Sequence, residues 1–227
     1  KIHDKIRGKG SYDQVIKTFN NLKKLQKLYK NLYLNFIITV TPDNSEQCPG
    51  FIKTLVKNFN PSAISINLFR YHSLKHPPLP NKLIKNYKKT VDTYKKYIFN
   101  GLLTHYSFFG SKVLMLKEIL QKELIYNVAK FDKFVTPCTA GNLSYVIMED
   151  GSLKSCEILP DNLGKISNNK NSSIKDLFFS KKAKELRSWI YKTKCKCTYE
   201  CAMSTNTLFT VPMVKKWVKK FPSTIFK

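Results

Sequence analysis

The sequence predicts an α/β fold followed by a small, cysteine-rich α+β domain, and three observations carry that expectation. Apolar residues up to about position 69 alternate between helical and strand-like spacing. A lysine-rich helical stretch comes next, and five of the six cysteines then fall between positions 138 and 201. We accordingly divide the 227 residues into an α/β portion (1–110), a bridging helix (111–130) and a cysteine domain (131–227), with a hydrophobic content of 42% that suffices for a core.

Taken in order, Ser11-Tyr-Asp-Gln14 reads as a capping box. Val15, Phe19, Leu22, Leu25, Tyr29 and Leu32 then recur at helical spacing, which predicts an amphipathic helix over about 12–31. The β-rich run 34–41 predicts a buried strand closed by Pro42-Asp43-Asn44. A helix over about 49–59, with Pro49 in its first turn, and a second strand over 63–69 follow. Helix–strand alternation implies parallel strands joined by crossover helices, so the C-terminal strand ends should form a functional rim. Thr39, Thr41, Asn44, Asn67 and Arg70 are its candidates; for any one of them, capping a strand end or satisfying loop backbone is the competing role.

The proline-rich stretch 70–80 predicts a loop, in which His72 and His76 stand four apart but are better read as surface residues than as a metal pair. Helices are expected over about 81–100 and 111–128. In the cysteine domain, 143–148 should be a strand, Glu149-Asp150-Gly151 a hairpin turn and 152–155 the returning strand, bringing Cys138 and Cys156 near each other. Residues 167–173 predict an exposed loop, 174–179 a short helix, and Ser180 the cap of a helix to about 193 that delivers Cys195-Lys-Cys197-Thr-Tyr-Glu-Cys201. The tail 208–227, with Trp217 and Phe221, is apolar and basic.

Thiolates are soft ligands for zinc or iron–sulfur clusters, and cysteines two and four residues apart can turn several sulfurs toward one centre. Cys138, Cys156, Cys195, Cys197 and Cys201 are therefore the candidate ligands, five thiols for four positions. Lys194 and Lys196 should favour the ionised thiolates. A disulfide framework is the alternative. A lysine-rich chain with no signal-peptide-like start and an odd cysteine at position 48 argues against it.

The formal net charge of +25 invites a nucleic-acid reading, but Arg7, Arg70 and Arg187 are the only arginines and the lysines are spread along the whole chain. Solvated helix faces account for them, and nucleic acid is not the expected partner. No apolar run approaches the roughly 20 residues needed to cross a bilayer, so no membrane span and a cytoplasmic location are expected. The chain opens on Lys1 rather than a methionine, and a fragment of a longer protein is expected.

Pro137-Cys-Thr-Ala-Gly141, the Asp150-Gly151 turn, Cys156-Glu157 and the Cys-x-Cys-x-x-x-Cys run together resemble the SPASM or twitch domain that follows the barrel in many radical S-adenosylmethionine (radical SAM) enzymes. Twelve residues separate Cys138 from Gly151 and four separate Gly151 from Cys156, as in that family. The segment His3-Asp-Lys-Ile-Arg7-Gly-Lys-Gly10 is similar to the one after the fourth barrel strand, which makes 34–41 the fifth strand and 63–69 the sixth of a partial (β/α)6 barrel.

The resemblance implies one auxiliary 4Fe–4S cluster on the cysteines, with Cys138, Cys156 and Cys201 ahead of Cys195 and Cys197 by position, an S-adenosylmethionine and substrate rim at the strand ends, and a parent enzyme acting in peptide, protein or cofactor modification. A peptide, protein or small-molecule substrate and an electron donor such as flavodoxin or ferredoxin are the partners it implies. The Cys-x-x-x-Cys-x-x-Cys loop that holds the SAM-cleaving cluster is absent from the sequence, so this chain alone should not cleave S-adenosylmethionine. The alternative class is a zinc-binding structural or nucleic-acid-binding module.

Overall fold

The computed structural model describes residues 2–71, 73, 75–103, 108, 110–166 and 173–220. It is a mixed α/β chain that divides into two compact units, Lys1–Phe69 with Pro80–Met115, and Arg70–Leu79 with Leu116–Lys227. Part of the expected bridging helix thus belongs to the second unit.

In the first unit, α1 (Ile2–Arg7) precedes α2 (Ser11–Gln26). The helix start differs from the expected capping box: Ser11 lies inside α2, and the Asp4 carboxylate caps it, accepting hydrogen bonds from the Tyr12 amide at 2.8 Å and the Ser11 hydroxyl at 3.2 Å. Those bonds hold the Asp4 carboxyl below its ordinary range, the Tyr12 amide contributing most. α2 also ends earlier than its apolar spacing suggested. The chain turns after Gln26, whose side chain donates to the Leu32 carbonyl at 2.8 Å and the Ser62 hydroxyl at 3.0 Å, and Leu28 and Tyr29 remain exposed.

β1 (Asn35–Val40), α3 (Cys48–Phe59) and β2 (Ala63–Leu68) form a β-α-β unit, with β1 and β2 parallel and Thr39 opposite Asn67. Pro49 sits in the first turn of α3, where its missing N–H costs nothing. Ile38, Val40, Ile64, Ile66 and Leu68 are buried, as are Ile52 and Leu55 on α3 and Leu83 and Tyr87 on α4 (Asn81–Phe99). β1 is not the fully buried strand expected: Ile37 is 68% exposed, because among the described residues the sheet has two strands and only one face of β1 is covered.

The second unit includes the larger part of α5 (Ser111–Phe131) and a three-stranded antiparallel sheet of β3 (Val146–Ile147), β4 (Ser152–Lys154) and β5 (Gly164–Lys165). The predicted hairpin is present but shorter, and β5 was not foreseen. Its turn works as the sequence suggests: Gly151 takes φ +82°, a left-handed conformation that suits glycine, while Asp150 accepts from the Ser152 amide at 2.9 Å. α6 (Ile174–Phe179) and α7 (Lys181–Lys192) are capped by Ser173 and Ser180. Ala183, Leu186 and Ile190 on one face of α7 bury against Leu153, Leu159 and Leu163. Each large aliphatic side chain withdrawn there contributes about 2 kcal/mol. α8 (Glu200–Phe209) and α9 (Val211–Lys220) close the described chain. Cys201 therefore lies inside α8, while Cys195 and Cys197 precede it. Residues 167–172, His72 and Phe221 lie outside the described residues.

Candidate metal centre

Four cysteines of the second unit are positioned by four different local devices. Cys138 precedes Thr139, whose amide and hydroxyl both donate to the Asn206 Oδ1 of α8 at 2.8 Å; the Ala140 amide and the Asn206 side chain reach the Cys138 sulfur. Cys156 follows β4 and its Sγ accepts from the Ile158 amide at 3.4 Å. Cys195 is turned back over the end of α7 by Lys194, which takes φ +50°, and its amide donates to the Ile190 carbonyl at 3.0 Å. Cys197 accepts from the Tyr199 amide.

These four converge. Cys156 belongs to the buried apolar cluster of the second unit, and Cys138, Cys195 and Cys197 pack against it. Every pairing among the four is close enough for their charges to interact. Burial first, and then the neighbouring sulfurs, push the thiols of Cys195 and Cys197 up to about 12, and burial also raises Cys138. This reverses the expected influence of the flanking lysines. Lys196 turns away to the Asp132 carboxylate at 2.7 Å, so desolvation outweighs its charge. All six cysteines are free thiols, and the disulfide alternative is not realised.

The donor set, four soft sulfurs with no hard oxygen among them, fits zinc or an iron–sulfur cluster. Among the described residues no group of three or more His, Cys, Asp or Glu side chains is placed so that it could hold a metal ion.

Cys201 belongs to a different constellation. It is exposed in the first turn of α8 and shares a hydrogen bond with the Tyr199 hydroxyl, which also meets Glu157. Arg70 pairs with Glu157 at 2.8 Å and lies 4.3 Å over the Tyr199 ring. Burial, then Glu157 and Cys201, push the Tyr199 phenol upward. Arg70 is accordingly a partner within the second unit. The other rim candidates lie in the first: the Asn44 Oδ1 accepts from the Thr41 amide at 2.8 Å, and its Nδ2 donates to the Thr39 carbonyl at 2.9 Å. Asn44 thus closes the loop after β1, Thr39 sits beside Asn67 in register, and the Thr41 hydroxyl is buried with no hydrogen-bond partner among the described residues. His76 stacks on Tyr71, with ring centroids 4.9 Å apart.

Sequence reasoning missed the supports of the thiol set. Asn206 is one, 3% exposed on α8. A buried charge network is another: Lys122 donates to the Glu200 Oε2 at 2.7 Å, Gln121 to the same oxygen at 2.6 Å, and Lys117 to Ser204 at 3.0 Å and to Glu118. The available signal was Ala202, Met203, Asn206 and Thr207 at helical spacing after Glu200. No family model, no curated protein and no solved structure matches this chain. No helix among the described residues is long and apolar enough to cross a membrane.

Proposed function

We propose that the second unit binds an auxiliary 4Fe–4S cluster through Cys138, Cys156, Cys195 and Cys197, as part of a radical SAM enzyme with a SPASM or twitch extension. The first unit is then the C-terminal portion of its (β/α)6 barrel, and the parent enzyme acts in peptide, protein or cofactor modification. The observation that carries the reading is the mutual proximity of these four thiols on one apolar cluster. The motif resemblance selects iron–sulfur over zinc, and the parallel β-α-β unit is in keeping with a piece of barrel. The cluster, when bound, supplies electron transfer or a substrate-binding iron. The chain supplies the thiolates, their dry apolar setting and the hydrogen bonds from the Ile158 and Tyr199 amides. S-adenosylmethionine cleavage is assigned to the parent, since the Cys-x-x-x-Cys-x-x-Cys loop is missing here.

The test is anaerobic purification with iron, sulfide and zinc analysis and a visible spectrum, repeated for Ala replacements at each of the five cysteines. About four iron and four sulfide per chain, lost on replacing any of the four but retained in Cys201→Ala, supports the reading. Retention in Cys195→Ala with loss in Cys201→Ala overturns the ligand assignment. Stoichiometric zinc without iron establishes a structural or nucleic-acid-binding zinc module instead. Sustained 5′-deoxyadenosine formation by the isolated chain under reducing conditions overturns the assignment of that activity to the parent.

A further inference from the structure

A cavity of about 560 Å³ opens beside Cys195 and Cys197 in the second unit, within the range of small-molecule sites. Its floor is apolar, formed by Leu79, Val128 and Ile158, all buried. Two aromatic walls stand over it. One is the stacked Tyr71–His76 pair, and the other is Trp189, which keeps 43% of its surface exposed. A half-bare indole over an apolar floor is suited to a flat apolar group.

Three cations line the same cavity, and their pairing decides what charge it accepts. Arg70 is engaged by Glu157 at 2.8 Å and Lys196 by Asp132 at 2.7 Å. Lys194 has no acidic partner among the described residues, although it too lines the cavity. The positive φ of Lys194, +50°, belongs to the turn that places Cys195 and sets where the Lys194 side chain leaves the backbone. One uncompensated positive charge at the edge of an aromatic, apolar cavity matches one negative charge on a ligand with a flat body.

We propose that this cavity is a binding site for a small aromatic carboxylate, whose ring lies between Trp189 and the Tyr71–His76 pair and whose carboxylate faces Lys194. The site stands on the cavity and its charges, independently of what the thiols bind. It places the ligand against the Cys195–Cys197 loop, and so beside whatever group that loop holds.

The test is calorimetric titration of the full chain with N-acetylphenylalanine and with its neutral amide, with iron and zinc content measured on the same samples. The acid is expected to bind with a Kd on the order of 1 mM or tighter, and the amide about three- to tenfold more weakly. Lys194→Gly should remove that preference and still fold, because glycine accepts the left-handed backbone. Trp189→Leu should weaken acid and amide alike, and Lys192→Gln, outside the cavity wall, should change neither. Equal affinity for acid and amide, an unchanged preference in Lys194→Gly, or no binding at about 10 mM acid overturns the proposal. A metal-free chain that still binds the acid separates this site from the cluster reading, which fails on metal content alone.

Discussion

Lys122 holds a charge where water does not reach. Its side chain is 2% exposed, donating to Glu200 Oε2 at 2.7 Å and standing 3.6 Å from Glu118 Oε2. Burial pushes the Glu200 carboxyl up, against the opposing pull of Lys122 and Gln121, and its Oε1 is buried with no hydrogen-bond partner among the described residues. Burial also works to raise Glu118, but Lys122 and Lys117 outweigh it and hold that carboxyl below its ordinary value. The two carboxyls shift in opposite directions because Glu118 lies between two lysines and Glu200 meets one. Lys122→Met removes the cation and keeps the bulk of the side chain. Breaking a buried pair from one side costs about 3–5 kcal/mol, and the surviving bond from Gln121 at 2.6 Å places this variant near the lower end, at about 3 kcal/mol. Adding Glu200→Gln removes the stranded charge and should recover about 2 kcal/mol of it. Urea unfolding followed by circular dichroism, at matched metal content, measures both. The pH dependence has a definite sign. A carboxyl whose folded pKa is raised binds protons in the folded state that the unfolded chain releases, so acidification favours folding, and the cost of Lys122→Met should be smaller at about pH 5 than at about pH 8. A coupling below about 0.5 kcal/mol, or a cost that grows on acidification, refutes the reasoning.

Asn206→Leu strands the amide and hydroxyl of Thr139 beside Cys138; a loss of about 1–3 kcal/mol in urea unfolding and faster metal loss to a chelator are expected. Asp4→Asn should fray the start of α2, seen as loss of amide protection at Tyr12. Because the folded Asp4 carboxyl is depressed, its contribution is present above the ordinary value of 3.8 and disappears as pH falls through the lower folded value, so parent and variant should converge in acid. Burial pushes the Cys48 thiol up to about 11 from 9.0. A raised thiol loses its stabilising contribution as pH rises from 9.0 toward 11, and Cys48→Ala should show a shallower fall in thermal stability across that window.

What the sequence made legible was whatever rests on local periodicity or turn chemistry. The β-α-β unit followed from two β-rich runs around a proline-started helix, and the Asp150-Gly151 hairpin and the serine cap at 180 followed from residues that satisfy their own neighbours. The start of α2 was misplaced because its cap comes from Asp4, seven residues before Ser11. The exposure of Ile37 was hidden for a different reason: periodicity reports which residues are apolar, and the covering layer decides which of them are buried. At the candidate site, spacing found the five cysteines but not which of them meet. That depends on α8 starting at Glu200, which turns Cys201 outward, and α8 is held by Gln121, Lys122 and Asn206 through contacts some 67–79 residues apart in sequence. Separations of that size leave no mark in a local window.

Under the proposed ligation, the arrangement of the thiols sets what binding would do to the second unit. Cys138 hangs from α8 through Asn206, Cys156 ends β4, Cys195 is folded over the end of α7, and Cys197 leads into α8 through the Tyr199 amide. A group bound by all four joins these elements across loops of up to 59 residues, the span from Cys138 to Cys197. Closing such loops is costly for a free chain, and an unfolded chain has no preformed site, so the affinity for the group appears largely as folding free energy. Burial of the thiols works against ligation, since the metal-free unit keeps Cys195 and Cys197 protonated in an apolar setting and ligation must displace those protons. Limited proteolysis of the full chain should therefore show the second unit protected on loading, with Cys195→Ala remaining cleavable at the same metal concentration. Equal cleavage of loaded and metal-free chain would mean that the four thiols are packing residues, held together by Leu153 and Ile190 rather than by a shared ligand.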